Sequence, residues 1–127
     1  MTTFTKVILY TGSDGFARFK EEKIELNEGN EKSQLSPWFN AEGLQLRYSP
    51  VGFKSDFHCT GKPQWLIVLQ GVMEIGLRDG STRRFSAGEH FYSADTLPEG
   101  IPFDSNIHGH CSRLIGDVPL ITAFIRD

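Results

Sequence analysis

GFKSDFHCTGKPQWLIVLQG, residues 52–71, sets the reading of this chain. Its second half, Gln64 to Gln70, is a strongly apolar run with Pro63 before it and Gly71 after it. That length and β-branched content suit a strand buried on both sides. Directly beyond it, Val72, Glu74, Gly76 and Arg78 alternate with Met73, Ile75 and Leu77. Asp79-Gly80 is a strong signal for a tight hairpin, and Thr82 to Phe85 returns as the partner strand. Gly88 punctuates the next turn, and Phe91-Tyr92 begins another short strand.

Working outward, Val7 to Tyr10 reads as a strand and Thr11 to Gly15 as a turn dense in Gly, Ser and Asp. Phe16 to Leu26 fits a half-exposed strand, and Asn27 to Pro37 an exposed loop. From Gly43 to Val51, Leu44, Leu46 and Tyr48 alternate with Gln45, Arg47 and Ser49, the period of a strand. Pro98 to Asn106 reads as a loop, and Pro119 to Arg126 as a closing apolar strand. No amphipathic stretch of helical length interrupts this series. Short strands at close spacing, separated by Gly and Pro, predict an all-β sandwich or barrel. At 127 residues the expectation is one domain, residues 1–127.

Composition narrows the partners. The net charge of −3 gives no basic footprint for nucleic acid, and the cluster Arg78, Arg83 and Arg84 reads as a solvated hairpin. The longest apolar run is far below the ~20 residues of a membrane span, so no membrane is expected. The first residues lack the apolar core of a signal peptide, which makes the cytoplasm the expected location. Cys59 and Cys111 are then expected as reduced thiols.

Within residues 52–71, Gly52, five residues, His58, one residue, Thr60, three residues, Gln64, six residues and Gly71 follow one another. This spacing resembles the first motif of the cupin family, with Thr60 in place of its second His and Gln64 in place of its Glu. The second motif is less regular: Gly80 and Gly88 open it, Leu97 to Asn106 lengthens its turn, and His108 or His110 must supply its His. The series Ala94-Asp95-Thr96, Gly109-His110, Ser112-Arg113 and Gly116-Asp117 is similar to the tail of a group of small bacterial cupins. The opening Tyr10 to Gly15 also looks like that group, so the likeness spans nearly the whole chain.

The resemblance implies a double-stranded β-helix, or jelly-roll barrel, with a site inside it. Cupins of known activity hold one divalent ion on two or three His and a Glu. Residues two apart on a strand point the same way, so His58 shares a face with Thr60, and His108 with His110. The ligand set so implied is His58, Gln64 and His110, with Asp95 the candidate to replace the missing acid. The ion would be Fe, Mn, Ni or Zn. With Gln64 neutral, the set has lost a charge whose attraction at ~4 Å is roughly 4 kcal/mol at an effective dielectric of ~20, so a weak or absent metal is expected. Cys59 and Cys111, each next to a candidate His, are expected to point away from the ion. His90 is expected in solvent. Two functions follow from the same pocket. One is a metal-dependent oxygenase, isomerase or lyase; the other is a metal-free module that binds or senses a small organic molecule. An edge strand near the N-terminus predicts a homodimer.

Overall fold

The computed structural model describes residues 2–127, and every regular element among them is a strand. In chain order these are β1 (Thr3–Thr11), β2 (Ala17–Glu25), β3 (Glu28–Asn30), β4 (Ser33–Leu35), β5 (Gly43–Ser49), β6 (Gln64–Gln70), β7 (Val72–Gly76), β8 (Thr82–Ser86), β9 (His90–Ala94), β10 (Cys111–Ile115) and β11 (Leu120–Arg126). Six of them form one sheet in the order β2-β1-β9-β6-β11-β5, and β10-β7-β8 form a second. The expected all-β, jelly-roll architecture is therefore present. The two sheets enclose one apolar cluster, in which Leu9, Leu66, Val68 and Phe91 from the larger sheet meet Met73, Ile75, Phe85 and Leu114 from the smaller.

The loop after Gly52 completes the smaller sheet. Phe53 accepts a hydrogen bond from the Leu114 amide, the Ser55 amide donates to Ser112, and Lys54 and His58 bridge to Arg113 and His110. Residues 53–58 thus lie along β10 as an irregular fourth strand. Both halves of the sequence pattern that framed the site now run side by side.

Four expectations need correction. β6 is buried on one face only: Leu66 and Val68 are inside, whereas Leu69 is exposed. Only two layers exist, so each strand must turn one face outward, and the outer face of β6 is itself apolar. Asn27 to Pro37 is not all loop but carries the small exposed hairpin β3–β4, nucleated by Asn30, whose side chain accepts from the Lys32 and Ser33 amides. β10 was not anticipated, since Cys111 to Ile115 has a charge in its middle; Arg113 lies opposite Glu74 of β7 and pairs with it at 2.8 Å.

The fourth concerns β5, where the alternation is inverted relative to a simple apolar-inside rule. Leu44, Leu46 and Tyr48 are 67%, 65% and 63% exposed, and Gln45 and Arg47 face the space between the sheets. Register extends this outer apolar face: Ile125 lies between Leu44 and Trp65, and Ala123 between Leu46 and Ile67.

Candidate functional site

His58 and His110 are brought together by backbone pairing. The His58 amide donates to the His110 carbonyl at 2.9 Å and the His110 amide returns the bond at 3.0 Å. Residues paired directly across antiparallel backbones project to the same side. Their rings lie 4.8 Å apart, centroid to centroid. Gly109 makes this approach possible: its φ is +91°, and a Cβ there would meet the His58 backbone at 2.8–2.9 Å.

Each ring is oriented by a hydrogen bond at Nδ1. In His58, Nδ1 lies 2.8 Å from the Asp56 carbonyl; in His110 it lies 2.7 Å from Asp95 Oδ2. Both of these partners only accept, and the Ser55 hydroxyl, 3.3 Å from His58 Nδ1, is the longer contact, so in the neutral rings Nδ1 carries the proton and Nε2 keeps its lone pair. His110 is buried and His58 stands exposed at the mouth. Partial desolvation lowers the His58 pKa, and the neighbouring His110 and Arg47 act in the same direction.

The two imidazoles line a cavity of about 250 Å³ between the sheets. Gln64 of β6 and Thr60 line it as well, with Ser93 and Ser112 adding hydroxyls and Leu66, Met73, Ile75 and Phe91 an apolar floor. Three of the four expected site residues, His58, Gln64 and His110, therefore share one space. Asp95 does not line it. Its carboxylate is fully buried behind His110, where Oδ1 accepts from the Thr11 hydroxyl at 2.7 Å while Oδ2 takes His110. Asp95 is thus placed to orient an imidazole rather than to face the cavity.

The choice between His108 and His110 is resolved by position. His108 is buried outside the cavity, where Nδ1 accepts from the Asp104 amide at 2.9 Å and the carbonyl accepts from Arg78. It anchors the 98–106 loop. His90, expected in solvent, is half-buried: it stacks on Phe4 and Trp65, and its Nε2 accepts from the Val7 amide at 3.3 Å. Cys111 Sγ reaches the Gly76 carbonyl at 3.7 Å, away from the imidazoles. Cys59 instead lies at the cavity rim, and burial pushes its thiol up to about 11, so it stays protonated at neutral pH.

Arg47 went unnoticed as a site residue in the sequence. It lines the cavity between Phe53 and Phe124, its guanidinium carbon 5.1 and 5.0 Å from their ring centroids. Its Nε is inaccessible to solvent and has no hydrogen-bond partner among the described residues. Arg126 of β11 lines the same space, and no Asp or Glu does. The signal was available: in a strand whose apolar residues face outward, the alternate polar residues must face in.

No protein-family model matches the chain. No curated protein matches it either. Among solved structures, the chain is similar to the Schizosaccharomyces pombe Cnp3 cupin domain, at 15% identity and a TM-score of 0.43, over 98% of this chain and 84% of that one.

The cupin-type expectation of a divalent ion can be set against this donor set. His58 and His110 offer two neutral nitrogens and Gln64 a neutral amide oxygen. The nearest acid, Asp95, has both oxygens engaged by His110 and Thr11. Arg47 adds positive charge to the same cavity. Among the described residues no three His, Cys, Asp or Glu side chains converge. Resident divalent ions on such ligands are held by three or more imidazole, thiolate or carboxylate donors. Here only two imidazoles and an amide face the cavity among the described residues. These residues do not fit one.

Proposed function

We propose that this chain is a cupin-type module that binds a small organic molecule in the cavity between its sheets, read by hydrogen bonds rather than through a resident metal. The observation that carries this reading is the fixed pair of imidazoles, each with Nδ1 engaged and Nε2 free, in a cavity that no carboxylate lines. Two acceptors of defined direction, the Gln64 amide and the hydroxyls above an apolar floor make the few convergent polar groups typical of a ligand site. At His58, Cys59, Thr60 and Gly61 the cavity adjoins a further space of about 440 Å³ lined by Phe57, Leu97 and Phe103, and the two together suit a small organic molecule.

The test is elemental analysis of protein purified without a His-tag, together with thermal-shift screening of small polar organics on the native chain and on His110→Ala. The expected result is metal well below one equivalent, and stabilisation by at least one organic compound that His110→Ala abolishes. Stoichiometric Fe, Mn, Ni or Zn that disappears in His58→Ala overturns the proposal and supports the metal-dependent enzyme.

A homodimer belongs to the same proposal, with its location revised. β2, the sheet edge near the N-terminus, is lined by Arg18, Lys20, Glu21, Glu22 and Lys23, a pattern that discourages edge pairing. The outer face of β5, β11 and β6 is apolar and exposed, and a second copy of the chain would cover Leu44, Leu46, Tyr48 and Leu69.

A further inference from the structure

The cavity contains a positive charge that no acid among the described residues pairs with. Arg47 forms no ion pair and no side-chain hydrogen bond among the described residues, although guanidinium carries five donors. Five of the other six arginines are matched: Arg84 and Arg113 clasp Glu74, Arg18 pairs with Asp14, Arg83 with Glu21 and Arg78 with the His108 carbonyl, while Arg126 stands exposed. Nε is enclosed and stays without a partner, whereas the Nη nitrogens are not enclosed, and in a residue that lines the cavity these are the donors a partner supplied from outside can satisfy. Burial alone lowers the Arg47 pKa, with no acid beside it to offset that.

We infer that Arg47 is the anchor for a carboxylate group on the ligand of this cavity, which makes the occupant a small organic acid. The inference rests on the cavity being a ligand site, as proposed above, and adds the chemical class of what enters it. Phe53 and Phe124 flank the guanidinium, its carbon 5.1 and 5.0 Å from their ring centroids, and Nε is enclosed, so the donors left to the cavity are at its Nη edge. A planar carboxylate matches that edge with two parallel N–H···O bonds, a geometry that a lysine ammonium cannot reproduce. Arg126, exposed on the adjacent strand, adds a second positive charge at the rim. With one end of the acid on Arg47, the remainder lies over Leu66, Ile75 and Phe91, within reach of His110.

The experiment is calorimetric titration of the chain with short monocarboxylates of two to eight carbons, their primary amides and inorganic phosphate. It is repeated on Arg47→Lys and Arg47→Gln, with circular dichroism to confirm folding. The expected result is at least one carboxylate that binds at least tenfold tighter than its amide. Arg47→Gln should lose that preference, and Arg47→Lys should weaken it several-fold although the charge remains. Amide and acid bound equally, with both lost in His110→Ala, would overturn the carboxylate inference while leaving the cavity a ligand site. Preference for phosphate, or a carboxylate preference that survives Arg47→Gln, overturns it too. Failure of every probe, charged and neutral, to bind overturns both proposals. If both arginine variants are unfolded, carboxylate titration of Phe53→Leu substitutes: an unchanged acid-to-amide ratio there counts against the edge-on geometry.

Discussion

Replacing Asp95 tests the orientation of His110 directly. Its carboxylate is fully buried and accepts two hydrogen bonds of 2.7 Å, from His110 Nδ1 and the Thr11 hydroxyl. A hydrogen bond to a buried charged group contributes about 1.5–3 kcal/mol. Thr11 has a fallback, because the Thr96 carbonyl lies 3.2 Å from its hydroxyl, so its loss adds no more than about 1 kcal/mol. Asp95→Ala should therefore cost about 2–4 kcal/mol in urea unfolding, or roughly 10 °C in Tm for a chain of this size. Asp95→Asn is expected to cost only about 1 kcal/mol. Its oxygen can still accept from His110, and its amide can donate to Thr11. The measurement is a double-mutant cycle with His110→Ala, accompanied by nitrogen NMR of the His110 ring above pH 7.5. The native protein and Asp95→Asn should show the Nδ1–H tautomer, whereas Asp95→Ala should show a mixture with Nε2–H. A coupling energy under about 0.5 kcal/mol, or a native ring protonated on Nε2, refutes the orienting role.

Three further outcomes are expected. Gly109→Ala should cost about 2–3 kcal/mol, since it combines a positive φ with a Cβ pressed on the His58 backbone; an unchanged urea midpoint would show that the His58–His110 bridge is not tight. Stability should also decline on acidification. Burial lowers the pKa of both His58 and His90, and protonation of His90 removes the acceptor for Val7. Their contribution is present above the unfolded value of ~6.5 and is lost as pH falls through the lower folded values, so Tm at pH 5 should lie below that at pH 7.5. A flat profile over that range contradicts it. Finally, the proposed homodimer predicts that the native chain sediments as a dimer and Leu46→Glu as a folded monomer; a native monomer refutes the dimer, and an unchanged sedimentation coefficient in Leu46→Glu excludes the β5 face as the contact.

Much of the fold was legible because period-two alternation and Gly-rich turns mark strands whatever their neighbours. The hairpin at Asp79-Gly80 appears as β7–β8, with Val72 to Gly76 registered against Thr82 to Ser86. Burial was harder to read. An apolar run such as Gln64 to Gln70 reports hydrophobicity but not which face meets the core, and here both faces are apolar for different reasons. The site was half legible. The spacing from Gly52 to Gly71 singled out His58 and Gln64, and the tail singled out His110 and Asp95. That Asp95 sits behind His110 depends on the crossing of β1 and β9, residues 84 apart in the case of Thr11 and Asp95, which no local pattern encodes. Arg47 escaped notice because a lone arginine on an alternating strand ordinarily faces water.

β5 separates two surfaces along a single strand. Odd-numbered residues of this strand face the interior and even-numbered ones the exterior, so two neighbouring positions meet different surroundings. On the proposed reading, a substitution at Leu46 would alter the outer contact without touching the cavity, and one at Arg47 the reverse. An insertion or deletion of a single residue, however, exchanges the two sets and turns the guanidinium outward while driving leucines into a polar cavity. The strand should therefore tolerate changes of residue far better than changes of length, and a length scan of residues 43–49 would show both properties failing at once.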